Sequence, residues 1–109
     1  MFDFKWSHSE KVIARRAFES ARLRELDGVI QQAKRKADKI SDPDQLWRLE
    51  RWLTERREDI NETYDYRYSV LPMVFAKLIY RKMLSEDELI GSGSEKIEEI
   101  RRGLRYLNL

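Results

Sequence analysis

The sequence predicts an all-α protein, and two features support that fold class. The chain has 109 residues but only four glycines and two prolines, so it offers few places to turn between short strands. Apolar residues also recur at helical spacing over long stretches that contain no proline. This length suits one small domain, which we predict to span residues 1–109.

The first helix is predicted to run from residue 8 to about residue 40. Ser7 and Glu10 have the spacing of a capping box, in which each side chain accepts a hydrogen bond from a backbone N–H at the helix start. An apolar stripe follows at helical spacing and comprises Ile13, Phe18, Leu23, Leu26, Val29, Ile30, Ala33, Ala37 and Ile40. Gly28 costs this helix about 1 kcal/mol relative to alanine, which leaves a kink there as an alternative.

A second helix is predicted from residue 43 to residue 63. Asp42 is a favourable N-cap, and Pro43 suits the first helical position, where a missing N–H is harmless. One apolar stripe runs along this helix and comprises Leu46, Leu49, Leu53 and Ile60. We assign Trp47, on the flank of the stripe, to an interface and Trp52 to core packing, because tryptophan is frequent in both settings.

A smaller head region of short helices is predicted over residues 69–107. Ser69 is expected to cap a third helix with Pro72 in its first turn, and the alternative is one longer helix kinked at Pro72. The segment 70–79 has almost no polar face, so it should form the centre of a core.

The last part of the chain contains a second capping box and a third apolar stripe. Ser85 and Glu88 have the capping-box spacing and predict a short helix. A flexible break at 91–94 then precedes a last amphipathic helix, whose stripe comprises Ile97, Ile100, Leu104 and Leu107.

The length of the first helix predicts an assembly. A helix of about 33 residues is roughly 50 Å long, whereas a compact chain of this size has a radius of gyration near 13 Å. The helix therefore extends beyond a monomeric core and leaves part of its apolar stripe uncovered. We expect a homodimer in which the long helices pack antiparallel, because two-fold dimers are the commonest closed assemblies.

Composition argues against several classes of function. The chain has no cysteine and one histidine, His8, so we predict no catalytic residue, no metal site and no cofactor. Its formal charge is +2, and acidic residues alternate with the basic ones, which disfavours nucleic-acid binding. The longest apolar run, 70–76, is far shorter than a membrane span needs, and we expect a cytoplasmic protein.

Five segments resemble the fluorescence recovery protein family of cyanobacteria in order and spacing. They are RELDGVI at 24–30, LWRL at 46–49, RREDI at 56–60, YDYRYSV at 64–70 and VFAKLI at 74–79. The resemblance implies an all-helical homodimer without catalysis or cofactor. It also implies a client, the photoactivated orange carotenoid protein, whose C-terminal domain the family binds. The family returns this client to the resting orange form and helps to detach it from the phycobilisome.

The resemblance also supplies candidate partner-binding residues. The family's interface tryptophan and functional arginine fall on Trp47 and Arg57. Glu50 and Arg51 stand where the family has His-Asp, and Met73 replaces an aromatic residue. Because one repulsive contact can change a partner, the client could instead be a homologue of that C-terminal domain.

The candidate residues therefore fall into two groups, one for the long helices and one for the head. The dimer and partner candidates on the long helices are Trp47, Glu50, Arg51, Arg57, Leu26, Ile30, Leu49 and Leu53. The head candidates are Met73 and Phe75. The alternative function is that of a dimeric helical adaptor with an unrelated protein client.

Overall fold

The computed structural model describes residues 5–109, and within that range it contains four α-helices and one 3₁₀ turn. The elements are α1 (His8–Asp38), α2 (Pro43–Thr63), α3 (Leu71–Tyr80), the 3₁₀ turn (Glu86–Leu89) and α4 (Ser94–Leu107). The predicted all-helical fold is confirmed. Residues 1–4, which the sequence analysis included in the single domain, lie outside the described residues.

The predicted helix caps are present at three helix starts. The hydroxyl of Ser7 accepts from the N–H of Glu10 at 3.2 Å, and the N–H of Ser7 donates to the Glu10 carboxylate at 2.8 Å. Asp42 accepts from the backbone of the first turn of α2, and Ser85 forms the second capping box with Glu88. The first helix is continuous through Gly28 and ends at residue 38.

The predicted Ser69 cap is wrong. The third helix begins at Leu71, its N-cap residue is Val70, and no side chain caps it. The N–H groups of Val70 and Leu71 both donate to the carbonyl of Arg67 at 3.0 Å, so Ser69 lies inside a closed turn. Pro72 does lie in the first turn of α3.

The alternative of one longer helix kinked at Pro72 is also wrong. The second helix ends at Thr63, and residues 64–67 have no helical backbone.

The head is built around one apolar core, to which the first half of α1 contributes a small-residue face. That face comprises Ala14, Ala17, Phe18 and Ala21, all buried. It packs against buried side chains of the later elements, namely Leu71, Phe75, Leu78, Leu84, Leu89 and Ile100. The helices α3 and α4 pack tightly at Gly103, where an added Cβ would lie 2.9 Å from the Cβ of Ala76.

The second half of α1 and the length of α2 project from the head as a helical hairpin, which we call the arm. The molecule measures 53 × 28 × 20 Å, and its radius of gyration is 16.7 Å, larger than the roughly 13 Å of a compact chain of this length. Two helices that pack only against each other cannot fully cover the apolar stripes of both α1 and α2. The arm therefore leaves part of both apolar stripes exposed.

Candidate interaction surface

An open cleft of about 760 Å³ runs between α1 and α2 along the arm. Its apolar lining comprises Leu26, Val29, Leu46, Leu49, Leu53 and Ile60. These are the residues whose helical spacing placed them on one stripe of each helix. Three of the four predicted apolar interface residues, Leu26, Leu49 and Leu53, thus meet in one groove.

The groove and its surroundings leave large apolar side chains in solvent. Leu46 is 45% exposed, Leu53 is 40% exposed, and Ile30, one turn beyond Leu26 on α1, is 51% exposed. Covering such apolar area with another surface is favourable by a free energy of roughly 25 cal/mol per Å². A run of such residues rimmed by charge is typical of a protein interaction site.

Charged groups line the rim of the cleft. Arg22, Arg56 and Arg57 contribute guanidinium groups, and Glu50 contributes a carboxylate. Glu50 accepts a hydrogen bond from the hydroxyl of Thr54 at 2.9 Å. Within residues 5–109, neither Glu50 nor Arg57 makes an ion pair, so both charges remain available to another chain.

Trp47 and Arg51 lie on the neighbouring outer side of α2 and do not line the cleft. Trp47 is 57% exposed, a large fraction for an indole ring. Trp52 is half-buried, with the ammonium of Lys36 on α1 5.0 Å from its ring centroid. Trp47 therefore faces solvent, and its assignment to an interface stays a prediction. Trp52 is half-buried but is not part of the apolar core of the head.

The two head candidates differ in accessibility. Met73 is 38% exposed on the surface of α3. Phe75 is 1% exposed, because its ring fills the core between α1 and α4. Phe75 thus supports the head and cannot contact a client while the head stays folded, which corrects its grouping with Met73.

Two arginines that line the cleft, Arg22 and Arg56, are not among the candidate site residues chosen from the sequence. Arg22 lies one helical turn before Leu26 on α1, and its position on that stripe could have indicated it. Arg56 is 3.9 Å from the Asp59 carboxylate, and its buried Nε atom has no hydrogen-bond partner in the described structure. The cleft is therefore more basic than the sequence analysis predicted.

Two searches of the described residues bear on other functions. Among residues 5–109, no group of three or more His, Cys, Asp or Glu side chains is arranged to hold a metal ion. No helix in the same range combines the length and apolarity needed to cross a membrane.

Comparison with known proteins identifies one family. Residues 6–102 match the family described as photoprotection regulator fluorescence recovery protein. The chain is also 34% identical over 96 residues to the fluorescence recovery protein of Synechocystis sp. PCC 6803, and the match covers 88% of each chain.

Solved structures give the same result. The fluorescence recovery protein of Fremyella diplosiphon superposes with a TM-score of 0.88 at 40% identity. The Synechocystis protein superposes with the same TM-score at 34% identity. Each superposition covers 93% of this chain and 99% of the other.

Proposed function

The chain belongs to the fluorescence recovery protein family of photoprotection regulators, and we propose that it acts without catalysis or cofactor as a homodimer that binds a carotenoid protein. Its client is the orange carotenoid protein or a homologue of that protein's C-terminal domain. It accelerates the return of the client to the resting orange form, and it does so in the cytoplasm.

A binding protein can accelerate such a return without breaking a bond. If it binds the resting or an intermediate state of the client better than the activated state, the population moves toward rest. Such a regulator needs an accessible, pre-formed surface rather than converging catalytic groups. The exposed ring of Trp47 outside the cleft and the guanidinium of Arg57 on its rim, which makes no ion pair within residues 5–109, are the observations that support this proposal most directly.

The apolar surface of the arm supports the proposed homodimer. A second copy, packed antiparallel, would cover the cleft and the exposed stripe that includes Leu26, Ile30 and Leu53. A two-fold interface uses the same patch on both copies, so each arm would supply the third and fourth helices that the other lacks.

Light scattering tests the dimer, because a dimer should have about twice the 13.2 kDa mass of one chain at micromolar concentration. The variant Leu53→Glu should lower the mass to that of a monomer, since it places a carboxylate in the apolar groove. Ile90→Glu is the matched control, because Ile90 is a 75% exposed aliphatic residue on the head. A monomeric unmodified chain would contradict the antiparallel homodimer.

The rate of dark recovery of the orange form, followed by absorbance, tests the function. Arg57→Leu should abolish the acceleration and preserve helicity, because an exposed cation is dispensable for folding but not for pairing with a client carboxylate. Arg48→Leu is the control on the same helix, since Arg48 is exposed and pairs locally with Asp44 at 2.7 Å. Equal effects of the two changes would contradict a specific role for Arg57.

A dimeric helical adaptor with an unrelated client remains the second candidate. It becomes the better explanation if the dimer forms but binds neither an orange carotenoid protein nor an isolated C-terminal domain.

A further inference from the structure

The three elements α1, α2 and α3 meet around one guanidinium group, that of Arg81. Its Nη1 donates to the carboxylates of Glu25 on α1 and Asp59 on α2, each at 3.0 Å. Its Nη2 donates to the second oxygen of Asp59 at 3.0 Å and to the hydroxyl of Thr63 at 3.1 Å. One side chain that follows the end of α3 thus links the head to both helices of the arm.

Neighbouring groups hold the same cluster in place. The hydroxyl of Tyr64 donates to the other oxygen of Glu25 at 2.7 Å and to the carbonyl of Ala21 at 3.2 Å. The ring of Tyr64 packs edge-on against Phe18 at 5.4 Å. Both oxygens of the Glu25 carboxylate are therefore used, and its orientation is fixed.

The cluster is partly shielded from water. The side chain of Arg81 is 30% exposed, that of Glu25 is 15% exposed and Thr63 is 7% exposed. The guanidinium of Arg81 lowers the pKa of Asp59 below its ordinary value. Bidentate pairing of this kind fixes direction as well as distance, because a planar guanidinium matches a carboxylate in one orientation.

The cluster lies where the chain passes from α2 to the head, whereas α1 runs without a break from the head into the arm. The chain leaves α2 at Thr63 and passes through the non-helical segment 64–67 before α3 begins. A segment without regular hydrogen bonding does not fix the angle between the elements that it connects. The side-chain bonds of Arg81 supply a constraint at that point.

We infer that Arg81 is a positioning residue that fixes the angle of α2 against α1 and the head. It thereby keeps the arm surface around Trp47 and Arg57 in one spatial relation to the head surface around Met73. This inference rests on the proposed function and adds to it that one client contacts both surfaces. A purely structural role for Arg81 would affect stability but not this relation.

The absence of cysteine from the sequence allows a direct distance measurement. Spin labels on Glu55→Cys in α2 and Arg105→Cys in α4, both exposed positions, report the distance between arm and head by double electron–electron resonance. Labelled chain is diluted with unlabelled chain so that distances between subunits do not contribute. The labelled chain should give one narrow distance distribution.

Two substitutions in the labelled chain then test the inference. Arg81→Met should broaden or shift the distribution, and Arg81→Lys should have an intermediate effect, since an ammonium cannot reproduce the bidentate pair. Arg67→Met is the matched control, because Arg67 forms a bidentate pair only two residues away, with Asp65. An identical distribution in Arg81→Met and Arg67→Met overturns the inference.

Recovery kinetics provide the functional readout. In Arg81→Met, the concentration of protein that gives half-maximal acceleration should rise about tenfold, while far-ultraviolet circular dichroism and dimer mass stay unchanged. If Arg81→Met fails to fold, Asp59→Asn serves instead, because it keeps the volume of the side chain and weakens one bond of the cluster. An unchanged distance distribution in Asp59→Asn then overturns the inference.

The two proposals fail separately. If the unmodified chain accelerates no carotenoid protein but the label distances respond to Arg81→Met as expected, only the proposed function is contradicted. If the chain is active and the distances do not respond, only the positioning role is contradicted.

Discussion

At the residue scale, the buried pair of Lys96 and Glu10 attaches the start of α1 to the start of α4. The Lys96 side chain is 3% exposed, and its ammonium donates to both carboxylate oxygens of Glu10, at 3.1 and 3.0 Å, and to the carbonyl of Lys5 at 2.6 Å. The N–H of Gly93 also donates to Glu10, at 2.6 Å. One carboxylate thus joins the capping box of α1 to the head.

Lys96→Met should lower the free energy of unfolding by about 3 kcal/mol, because removing one partner leaves the shielded Glu10 carboxylate without its counter-charge. Lys77→Met, at an exposed site on the neighbouring helix, should change it by no more than about 0.5 kcal/mol. Urea unfolding of both variants at one protein concentration measures the difference. Equal free energies of unfolding for Lys96→Met and Lys77→Met would show that the pair of Lys96 and Glu10 does not stabilise the fold.

The same pair predicts a dependence of stability on acid. The pKa of Glu10 falls from 4.5 to about 2, first because the N–H of Ser7 donates to its carboxylate and then because Lys96 does. The unfolded chain therefore takes up this proton more readily than the folded chain. The stabilisation is complete above about pH 5 and is lost as the pH falls toward 2.

Glu10→Gln removes this proton equilibrium. The difference in free energy of unfolding between the unmodified chain and Glu10→Gln should shrink steadily between pH 5 and pH 2. Denaturant unfolding at several pH values measures it. A difference that stays constant across this range would contradict the assignment to Glu10. The pKa values of Asp59 and Glu88 are also lowered, but both residues are present in both proteins, so their effects cancel in the difference.

At the scale of the helices, two glycines have opposite surroundings. An added Cβ at Gly28 on α1 meets nothing within 4 Å, whereas one at Gly103 on α4 lies 2.9 Å from the Cβ of Ala76 on α3. Gly28→Ala should therefore stabilise the chain by up to about 1 kcal/mol through helix propensity alone. Gly103→Ala should destabilise it, because α3 and α4 must separate to admit the methyl group.

Thermal unfolding followed by circular dichroism compares the two glycine variants. The Tm should rise by a few degrees in Gly28→Ala, about 4 °C or more per kcal/mol for a domain of this size, and should fall in Gly103→Ala. A lower Tm for Gly28→Ala would contradict the open surroundings of Gly28.

Elements defined by local chemistry could be predicted from the sequence. The boxes at Ser7 and Ser85 depend on residues three positions apart, and both are present. The Ser69 cap failed because a backbone turn closed by Arg67 competed with it, and side-chain patterns do not reveal such a turn. The Arg81 cluster was not predicted either, since its partner Glu25 lies 56 residues away in the chain.

At the scale of the whole molecule, part of the candidate surface could be predicted from the sequence and part could not. Helical spacing brought Leu26, Leu49 and Leu53 to one cleft, because an apolar stripe is a property of each helix alone. Whether Arg51 would line that cleft depended on the rotation of α2 against α1, which the stripe fixes only coarsely. Arg51 lies outside the cleft and is fully available to another protein.

We expect this exposed cation to influence the choice of client. The resemblance to the cyanobacterial family places an aspartate at this position, so Arg51 inverts the charge that a client would meet. We therefore expect the chain to act weakly on a cyanobacterial orange carotenoid protein. Arg51→Asp should raise the rate of recovery of the orange form more than Arg51→Ala does.

The ranking of the two variants separates two physical effects. Alanine only removes repulsion, whereas aspartate also restores an attractive contact, which at an exposed site gains up to about fivefold in affinity. Recovery of the orange form in the dark, measured by absorbance at increasing concentrations of each variant, gives the ranking. Equal effects of alanine and aspartate would show that removal of the cation alone matters. Full activity of the unmodified chain on a cyanobacterial orange carotenoid protein would mean that the charge at Arg51 does not select the client.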